Sequence, residues 1–201
     1  MNSRRGLLLA AAAPLWGSPA RAGSQVEEPL AGSVRTALSA AIASAAPPKP
    51  SFEHTEDRIA YLRWLGQVSQ RLMPRLAEHH TRVDLLGALW YESKRAGLEP
   101  ALVLGLVQVE SGFRKYAISS AGARGYMQVM PFWARLIGDS DASKLFHMQT
   151  NLRFGCVILR HYLDTERGEL NLALGRYNGS RGKPEYPAVV QAARRQWVVP
   201  A

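Results

Sequence analysis

The sequence predicts an all-α protein, and three observations lead to this class. After residue 55, apolar residues recur mostly at three- and four-residue steps. Alternating apolar stretches of the strand type are nearly absent. Prolines and glycines stand where helices would begin and end. With 201 residues, 47% hydrophobic and 20% charged, the chain fits one ordinary domain with appendages and excludes an intrinsically disordered protein.

The first 22 residues have the pattern of a secretory signal peptide. Arg4 and Arg5 precede the apolar run Gly6–Trp16, which is too short to span a bilayer. Ala20-Arg21-Ala22 then offers the small residues that signal peptidase reads. We expect cleavage after Ala22 and export, by the general or the twin-arginine route, to the periplasm or cell envelope as a soluble protein. No Cys follows the apolar run, so no lipid anchor is expected.

Residues 23–51 predict a flexible linker, and residues 52–201 the folded domain. The linker is rich in Ala, Ser and Pro, with one frayed helical turn expected around Val34–Ile42. In the domain, prolines and polar caps predict where each helix starts, and glycines predict where some of them stop. The first predicted helix is Thr55–Leu72, with its apolar positions at Ile59, Leu62, Leu65, Val68 and Leu72. The second has Thr81 as its N-cap and ends at Gly97. The other predicted helices are Ala101–Glu110, which follows Pro100, and then Pro131–Ile137, Asn151–Thr165, Leu170–Tyr177 and Pro187–Trp197.

Glu110 is the first candidate for chemistry. It ends a helix with one polar residue in the preceding nine, and it shares a face with Val103, Leu106 and Val107. Apolar neighbours and the carbonyl end of a helix both disfavour an ionised carboxyl. A carboxyl that stays protonated near neutral pH can act as a general acid. A structural Glu paired with an arginine is the alternative for such a residue considered alone.

A glycine-rich loop follows Glu110, over residues 112–126. Such a loop lets the backbone approach a ligand closely. Gln128 and nearby hydroxyls offer uncharged hydrogen bonds, and Tyr126 and Tyr177 offer flat apolar faces. This mixture suits a sugar, whereas the Gly-Lys-Ser/Thr sequence of a phosphate loop is missing. Core packing of the tyrosines and methionines is the simpler alternative.

Four motifs in order resemble a known family. They are Glu110-Ser111, Gly125-Tyr126-Met127-Gln128-Val129-Met130-Pro131, Asn151-Leu152-Arg153-Phe154-Gly155 and Ala173-Leu174-Gly175-Arg176-Tyr177-Asn178-Gly179. Over Leu85–Val198 the chain is similar to the catalytic domain of soluble lytic transglycosylases, glycoside hydrolase family twenty-three, related to goose-type lysozyme. Tyr126 stands where that family usually has Leu, and Gly179-Ser180 where it has Ala-Gly.

The resemblance implies a lysozyme-like helical fold and cleavage of the MurNAc–GlcNAc β-1,4 bond of peptidoglycan. It implies that Glu110 is the catalytic acid and base. It also implies that the residues matching the family's other site positions bind substrate, namely Ser111, Ser119, Gln128, Met130, Tyr177 and Asn178. No cofactor and no metal are implied, and peptidoglycan glycan strands are the expected partner of a monomeric enzyme.

The acidic residues fit a mechanism with one carboxyl. Ordinary glycosidases use two, but no second acidic residue occurs between Glu110 and Gly138. One carboxyl suffices if the MurNAc 6-hydroxyl attacks C1 and a 1,6-anhydro sugar forms, because a tethered nucleophile has a high effective molarity. Two alternatives stay open: a lysozyme-type hydrolase in which Asp139 or Glu185 places a water, and a non-catalytic wall-binding module of an envelope-spanning assembly.

The net charge of +9 does not predict nucleic-acid binding. Arginines are scattered over the first two helices of the domain, at Arg58, Arg63, Arg71, Arg75, Arg82 and Arg95. Such a surface can attract the carboxylates of wall peptides or anionic lipid heads, or it is simply a solvated face. The histidines lack metal-ligand spacing, and Cys156 is expected to be a buried small hydrophobe.

Overall fold

The predicted all-α class is confirmed. A computed structural model describes residues 25–43 and 52–200, so the expected signal peptide, residues 1–22, lies outside the described residues. Within those ranges the elements are α1 Gly32–Ala43, α2 Thr55–Leu72, α3 His79–Arg95, α4 Pro100–Ser111, α5 Pro131–Ile137, a 3₁₀ helix Ala142–Phe146, α6 Met148–Thr165, α7 Leu170–Asn178 and α8 Glu185–Trp197. In this part of the chain, no helix is both long and apolar enough to cross a membrane.

Helix α4 lies at the centre of the core. Nine of its twelve residues are buried, because it packs against α3 and, most extensively, against α8. The close approach of α4 and α8 depends on Gly105, where a Cβ atom would lie 2.6 Å from the backbone nitrogen of Arg194. Helices α6 and α7 pack together, and α6 also packs against α3. This packing fixes the C-terminal end of α4, where Glu110 lies.

Local signals predicted several helix ends correctly. Pro100 and Pro131 occupy the first turns of α4 and α5, where a missing N–H costs nothing. The predicted N-cap Thr81 is wrong, because α3 begins at His79. Glu78 is the N-cap, and its carboxylate accepts hydrogen bonds from the backbone N–H groups of His80 and Thr81. A Glu cap is a less common signal than a Thr, which explains the error.

The predicted apolar stripe of α2 is only partly buried. Val68 and Leu72 are fully buried against the core. Ile59 and Leu62 are both 52% exposed, because the N-terminal half of α2 turns Tyr61 inward instead. Periodicity identified the helix correctly, but the stripe does not lie entirely against a neighbouring element.

Residues 25–43 are more ordered than the predicted linker with one helical turn. Helix α1 extends for 12 residues and packs against α5 and α6. The Trp133 indole N–H donates to Oε1 of the buried Gln25 at 2.9 Å. Glu28 forms an ion pair with Arg176 at 2.6 Å. The segment is held by these contacts and by Leu38 and Ile42, which pack four residues apart against the core.

Two of the six arginines that could form a basic surface are withdrawn from it, and the exposed Arg71 also makes a contact within the protein. Arg82 is buried and donates to the carbonyls of Leu76 and Ala77. Arg71 donates to the carbonyl of Val198 at 2.9 Å, and Arg95 pairs with a buried carboxylate. The exposed members of the set are Arg58, Arg63, Arg71 and Arg75. The basic surface is therefore smaller than the sequence predicted.

Helix α6 starts at Met148, three residues before the predicted start, and its predicted core face is confirmed. Leu152, Cys156, Leu159 and Leu163 are all buried. Leu159 is fully buried, so Leu159→Ala is expected to lower the free energy of unfolding by about 2–5 kcal/mol through lost burial and a residual cavity. Urea unfolding followed by circular dichroism measures this. An unchanged midpoint would contradict the packing described for this face.

Candidate active site

Glu110 is buried at the C-terminal end of α4, with 4% of its surface exposed. Val103, Leu106 and Val107, which precede it on the same face, are fully buried. Burial raises the pKa of Glu110 to about 8, against an opposing hydrogen bond from Tyr186. Its Oε2 atom has no hydrogen-bond partner among the described residues. A protonated carboxyl with one uncommitted oxygen has the properties of a general acid.

Tyr186 is the site residue that the sequence analysis missed. It lies in the first turn of α8, is 8% exposed, and its hydroxyl donates a hydrogen bond to Oε1 of Glu110. Because this hydrogen bond favours the ionised carboxyl, it opposes the effect of burial. The two residues are 76 positions apart in the chain, and the pairing depends on the contact of α4 with α8. The sequence feature that could have identified Tyr186 is its position, just after the last motif and at the start of a predicted helix.

The raised pKa of Glu110 predicts a pH-dependent stability. The unfolded carboxyl ionises near its ordinary pKa of 4.5, whereas the folded one stays protonated up to about 8. The contribution to stability is therefore complete below pH 4.5 and is lost as the pH rises from there to about 8, by on the order of a few kcal/mol. Urea unfolding of the parent and of Glu110→Gln from pH 4 to pH 9 measures it. The variant is expected to gain relative stability across this window, and parallel curves would contradict the burial described for this carboxyl.

Ser111 ties the end of α4 to the glycine-rich loop. Its hydroxyl lies 2.7 Å from the carbonyl oxygen of Tyr126 and 3.1 Å from that of Val107, and both can accept its proton. The residue is 1% exposed. The Ser111 hydroxyl therefore binds backbone carbonyls, and its contact with Tyr126 holds the loop beside Glu110.

Gln128 also holds the loop. Its side-chain amide donates to the carbonyls of Gly125 at 2.9 Å and Ala117 at 3.1 Å, and the residue is 1% exposed. Its backbone is left-handed, with a φ of 49° that is uncommon for a residue with a side chain. The two side-chain hydrogen bonds stabilise this backbone conformation of Gln128.

Asn151 and two glycines explain the motif at the start of α6. The fully buried Asn151 side chain accepts from the Met127 N–H at 2.7 Å and donates to the carbonyl of Arg124 at 2.8 Å. Gly125 has a φ of +76°, and a Cβ there would lie 2.4 Å from the Asn151 amide nitrogen. At Gly155 a Cβ would lie 2.3 Å from the Met127 sulfur. The motif thus packs α6 against the loop.

Of the remaining predicted site residues, Ser119 lies in the loop, Tyr177 and Met130 lie at the residues that follow it, and Asn178 lies at the end of α7. Tyr177 is fully buried and its hydroxyl donates to the Met127 carbonyl at 2.8 Å. Burial, and then the nearby Glu110 charge, raise the pKa of Tyr177 well above its ordinary value. The Asn178 amide donates to the Ser180 hydroxyl at 3.0 Å. The Ser119 hydroxyl accepts from the Ala123 N–H at 3.1 Å, and Met130 precedes α5 as its N-cap.

The two carboxylates offered by the hydrolase alternative lie outside this cluster of contacts. Asp139 is exposed and pairs with Lys144, and Glu185 is exposed at the start of α8. Within residues 25–43 and 52–200, no group of three His, Cys, Asp or Glu side chains is arranged to hold a metal ion. Among the described residues, Tyr186 donates a hydrogen bond to Glu110 and Tyr177 interacts with it electrostatically.

Comparison with known proteins decides the family. The profile described as Transglycosylase SLT domain matches residues 89–190, just over half of the chain, and this match includes Glu110, the loop and Tyr186. The chain belongs to the SLT domain family. The SLT domain protein is similar to a protein named Transglycosylase from Enterobacteria phage PRD1. The two are 36% identical over 108 residues, and the alignment covers 51% of this chain and 39% of the relative.

Two further comparisons concern a relative and a solved structure. The SLT domain protein is 40% identical over 75 residues to Membrane-bound lytic murein transglycosylase C of Actinobacillus pleuropneumoniae, covering 33% of this chain and 20% of the relative. The chain thus matches less than half the length of either curated relative. A solved structure of lytic transglycosylase Slt from Pseudomonas aeruginosa aligns with a TM-score of 0.45 and 22% identity, covering 70% of this chain and 27% of that one.

Proposed function

We propose that this SLT domain protein is a lytic transglycosylase that cleaves the MurNAc–GlcNAc β-1,4 bond of peptidoglycan, with Glu110 as its single acid and base. The observation that carries the proposal is the buried carboxyl of Glu110, with a pKa raised to about 8 and an Oε2 atom that has no hydrogen-bond partner in residues 25–43 and 52–200. The name of the Actinobacillus relative, a membrane-bound lytic murein transglycosylase, supports murein as the substrate and the cell envelope as the place of action.

In the proposed first step, Oε2 of Glu110 donates its proton to the glycosidic oxygen as the bond from that oxygen to C1 breaks. The Tyr186 hydroxyl holds Oε1, so the carboxyl cannot rotate freely and the carboxylate that forms keeps one hydrogen bond. Glu110 is 4% exposed, and its low-dielectric surroundings strengthen both interactions.

In the second step, the Glu110 carboxylate takes the proton of the MurNAc 6-hydroxyl while that oxygen bonds to C1. The products are a 1,6-anhydro-MurNAc end and a free GlcNAc hydroxyl, and no water is consumed. The raised pKa of Glu110 suits both steps, because a group with a pKa near the working pH can give and retake a proton. Asp139 and Glu185 have no part in this scheme.

The six predicted binding residues are proposed to act mainly through the loop. Ser111, Gln128 and Tyr177 use their polar groups on backbone carbonyls, so they shape the surface that a glycan would meet. Ser119, Met130 and Asn178 lie at the same loop or at the end of α7 and are the better candidates for direct sugar contact.

Digestion of purified sacculi in water enriched with oxygen-18 tests the proposal. A lytic transglycosylase is expected to release anhydro-muropeptides that lack one water and carry no oxygen-18, as read by mass spectrometry. Reducing ends labelled with oxygen-18 would instead indicate a hydrolase. Binding to sacculi with no release of either product would indicate a wall-binding module.

A further inference from the structure

A cavity of about 510 Å³ lies at the end of α4 opposite Glu110. It is formed where the start of α2, the end of α3, the start of α4 and the residues that follow α8 meet. Glu110 is nine residues along α4 from Ala101, which lines the cavity, so the two sites are about 14 Å apart along the helix axis. Nothing in the proposed reaction uses this cavity.

Aromatic rings form the walls of the cavity. Tyr61 and Trp90 meet edge to face, with centroids 4.9 Å apart and planes at 64°, and Phe52 meets Trp90 at 5.8 Å and 60°. Trp64 lies 6.1 Å from Tyr61, and Trp197 completes the aromatic lining. Trp90 is steeply inclined to Phe52 and Tyr61, whereas Tyr61 and Trp64 are stacked with planes 26° apart, so both ring faces and ring edges border the cavity.

Carboxylates outnumber cations around the cavity. Glu53, Asp57 and Glu99 line it together with a single cation, Lys94. Glu99 pairs with Arg194 of α8, whereas Glu53 and Asp57 are exposed and form no ion pair with any described residue. This excess is a local reversal in a chain with 25 basic and 16 acidic residues.

We propose that this cavity binds an alkylammonium group, and that its source is the free amino group of a diamino acid in a peptidoglycan peptide. Aromatic faces attract a cation through their quadrupole, and the unpaired carboxylates add a Coulombic attraction. The choice of source rests on the proposed function.

The direct test uses the full chain carrying Glu110→Gln, so that no cleavage interferes. Nα-acetyl-lysine methylamide is titrated while the indole N–H signals are followed by NMR, with assignment by Trp→Phe variants. The signals of Trp64 and Trp90 are expected to shift, and that of Trp133, which donates to Gln25 outside the cavity, is expected to stay. The Nε-acetylated probe, which keeps the aliphatic chain but has no charge, is expected to bind at least about tenfold more weakly.

Paired variants identify the site. Glu53→Gln/Asp57→Asn is expected to weaken the lysine probe by roughly 3- to 20-fold through loss of two exposed charges. The matched control Glu56→Gln/Asp84→Asn changes the net charge equally, at exposed positions that do not line the cavity, and should bind as the parent does. Equal binding by both double variants, or by both probes, would overturn the proposal. Shifts of the same indoles by an N-acetylglucosamine tetramer without any by the lysine probe would make the cavity a sugar site and also overturn it.

A cleavage measurement tests the source of the ammonium group. Cleavage is compared between peptidoglycan polymers whose diamino acids carry free amines and polymers whose amines are acetylated. The parent is expected to have a lower KM for the polymer with free amines. Glu53→Gln/Asp57→Asn is expected to have the same KM for both polymers. Equal KM values for both polymers would overturn the peptide assignment. If no polymer is cleaved while the lysine probe still shifts Trp64 and Trp90, the proposed function fails and the alkylammonium site stands.

Discussion

Replacement of Glu110 by glutamine is expected to slow anhydro-product formation by about 10²–10⁴-fold or more, because general acid–base assistance is lost and the proposed mechanism has no second carboxyl to supply it. The glutamine side chain keeps the shape of the glutamate and can still accept the Tyr186 hydrogen bond, so the fold should survive. The assay is muropeptide release from sacculi, with circular dichroism to check folding.

Glu185→Gln is the matched control for this experiment, since it makes the same chemical change one residue before Tyr186 at an exposed position. Asp139→Asn removes the other carboxylate considered for a hydrolase, which is paired with Lys144 on the surface. Both variants should keep most of the activity. A Glu110→Gln protein that still releases anhydro-muropeptides, or a Glu185→Gln protein that is equally inactive, would contradict the mechanism with one carboxyl.

The same experiment has a pH dimension. If Glu110 must be protonated to act, kcat/KM should fall as the pH rises through about 8. Tyr186→Phe removes the hydrogen bond that lowers this pKa, so the alkaline limb of its profile should move to higher pH. If Tyr186 only supports the fold, Tyr186→Phe would lower the activity without shifting the alkaline limb of the pH profile.

Breaking the buried ion pair of Glu92 and Arg153 is expected to cost about 3–5 kcal/mol of unfolding free energy. Glu92 is 1% exposed, and its Oε1 accepts from Arg153 Nε at 3.0 Å and Nη2 at 2.9 Å, joining α3 to α6. Arg95 joins the same carboxylate and also donates to the carbonyl of Ala41 at the end of α1. Glu92→Leu therefore leaves Arg153 buried without its carboxylate and weakens the attachment of α1.

Urea unfolding of Glu92→Leu, Arg153→Met and the double variant measures this as a double-mutant cycle. The double variant should lose less stability than the two single variants added together, because the carboxylate and the guanidinium that bind each other are removed together. Asp164→Asn, at the exposed pair with Arg160, is the control and should change stability by no more than about 1 kcal/mol. Additive single effects would show that the two side chains do not act as a pair.

The parts of the fold predicted correctly are those set by local chemistry. Prolines at first turns fixed the starts of α4 and α5, and a periodic apolar face identified α6. The sequence could not indicate that Ile59 and Leu62 stay 52% exposed, because periodicity describes a helix and not its neighbour. Helix α1 was underestimated for the converse reason, since its Ala-rich sequence is held by distant partners such as Arg95 and Arg153, which donate to the carbonyls of Ala41 and Ile42.

In the candidate site, burial of Glu110 could be predicted because its apolar neighbours are adjacent in sequence. Its hydrogen bond to Tyr186 could not, since the donor comes from the last helix. The roles of Ser111 and Gln128 also depended on the folded loop, because nothing local indicates whether a polar side chain will meet a ligand or a backbone carbonyl.

The hydrogen bonds of Ser111, Gln128 and Tyr177 to loop carbonyls have a consequence for mutational scanning. An alanine scan that measures activity would rank these three positions as equal in importance to Glu110, although each hydrogen bond acts on the conformation of the loop. Their losses should depend on temperature and should be partly relieved by compensating changes elsewhere in the loop, whereas no distant change can restore a missing proton donor. The motif that identifies the family would then encode mainly the shape of a backbone, with its chemistry concentrated in one carboxyl.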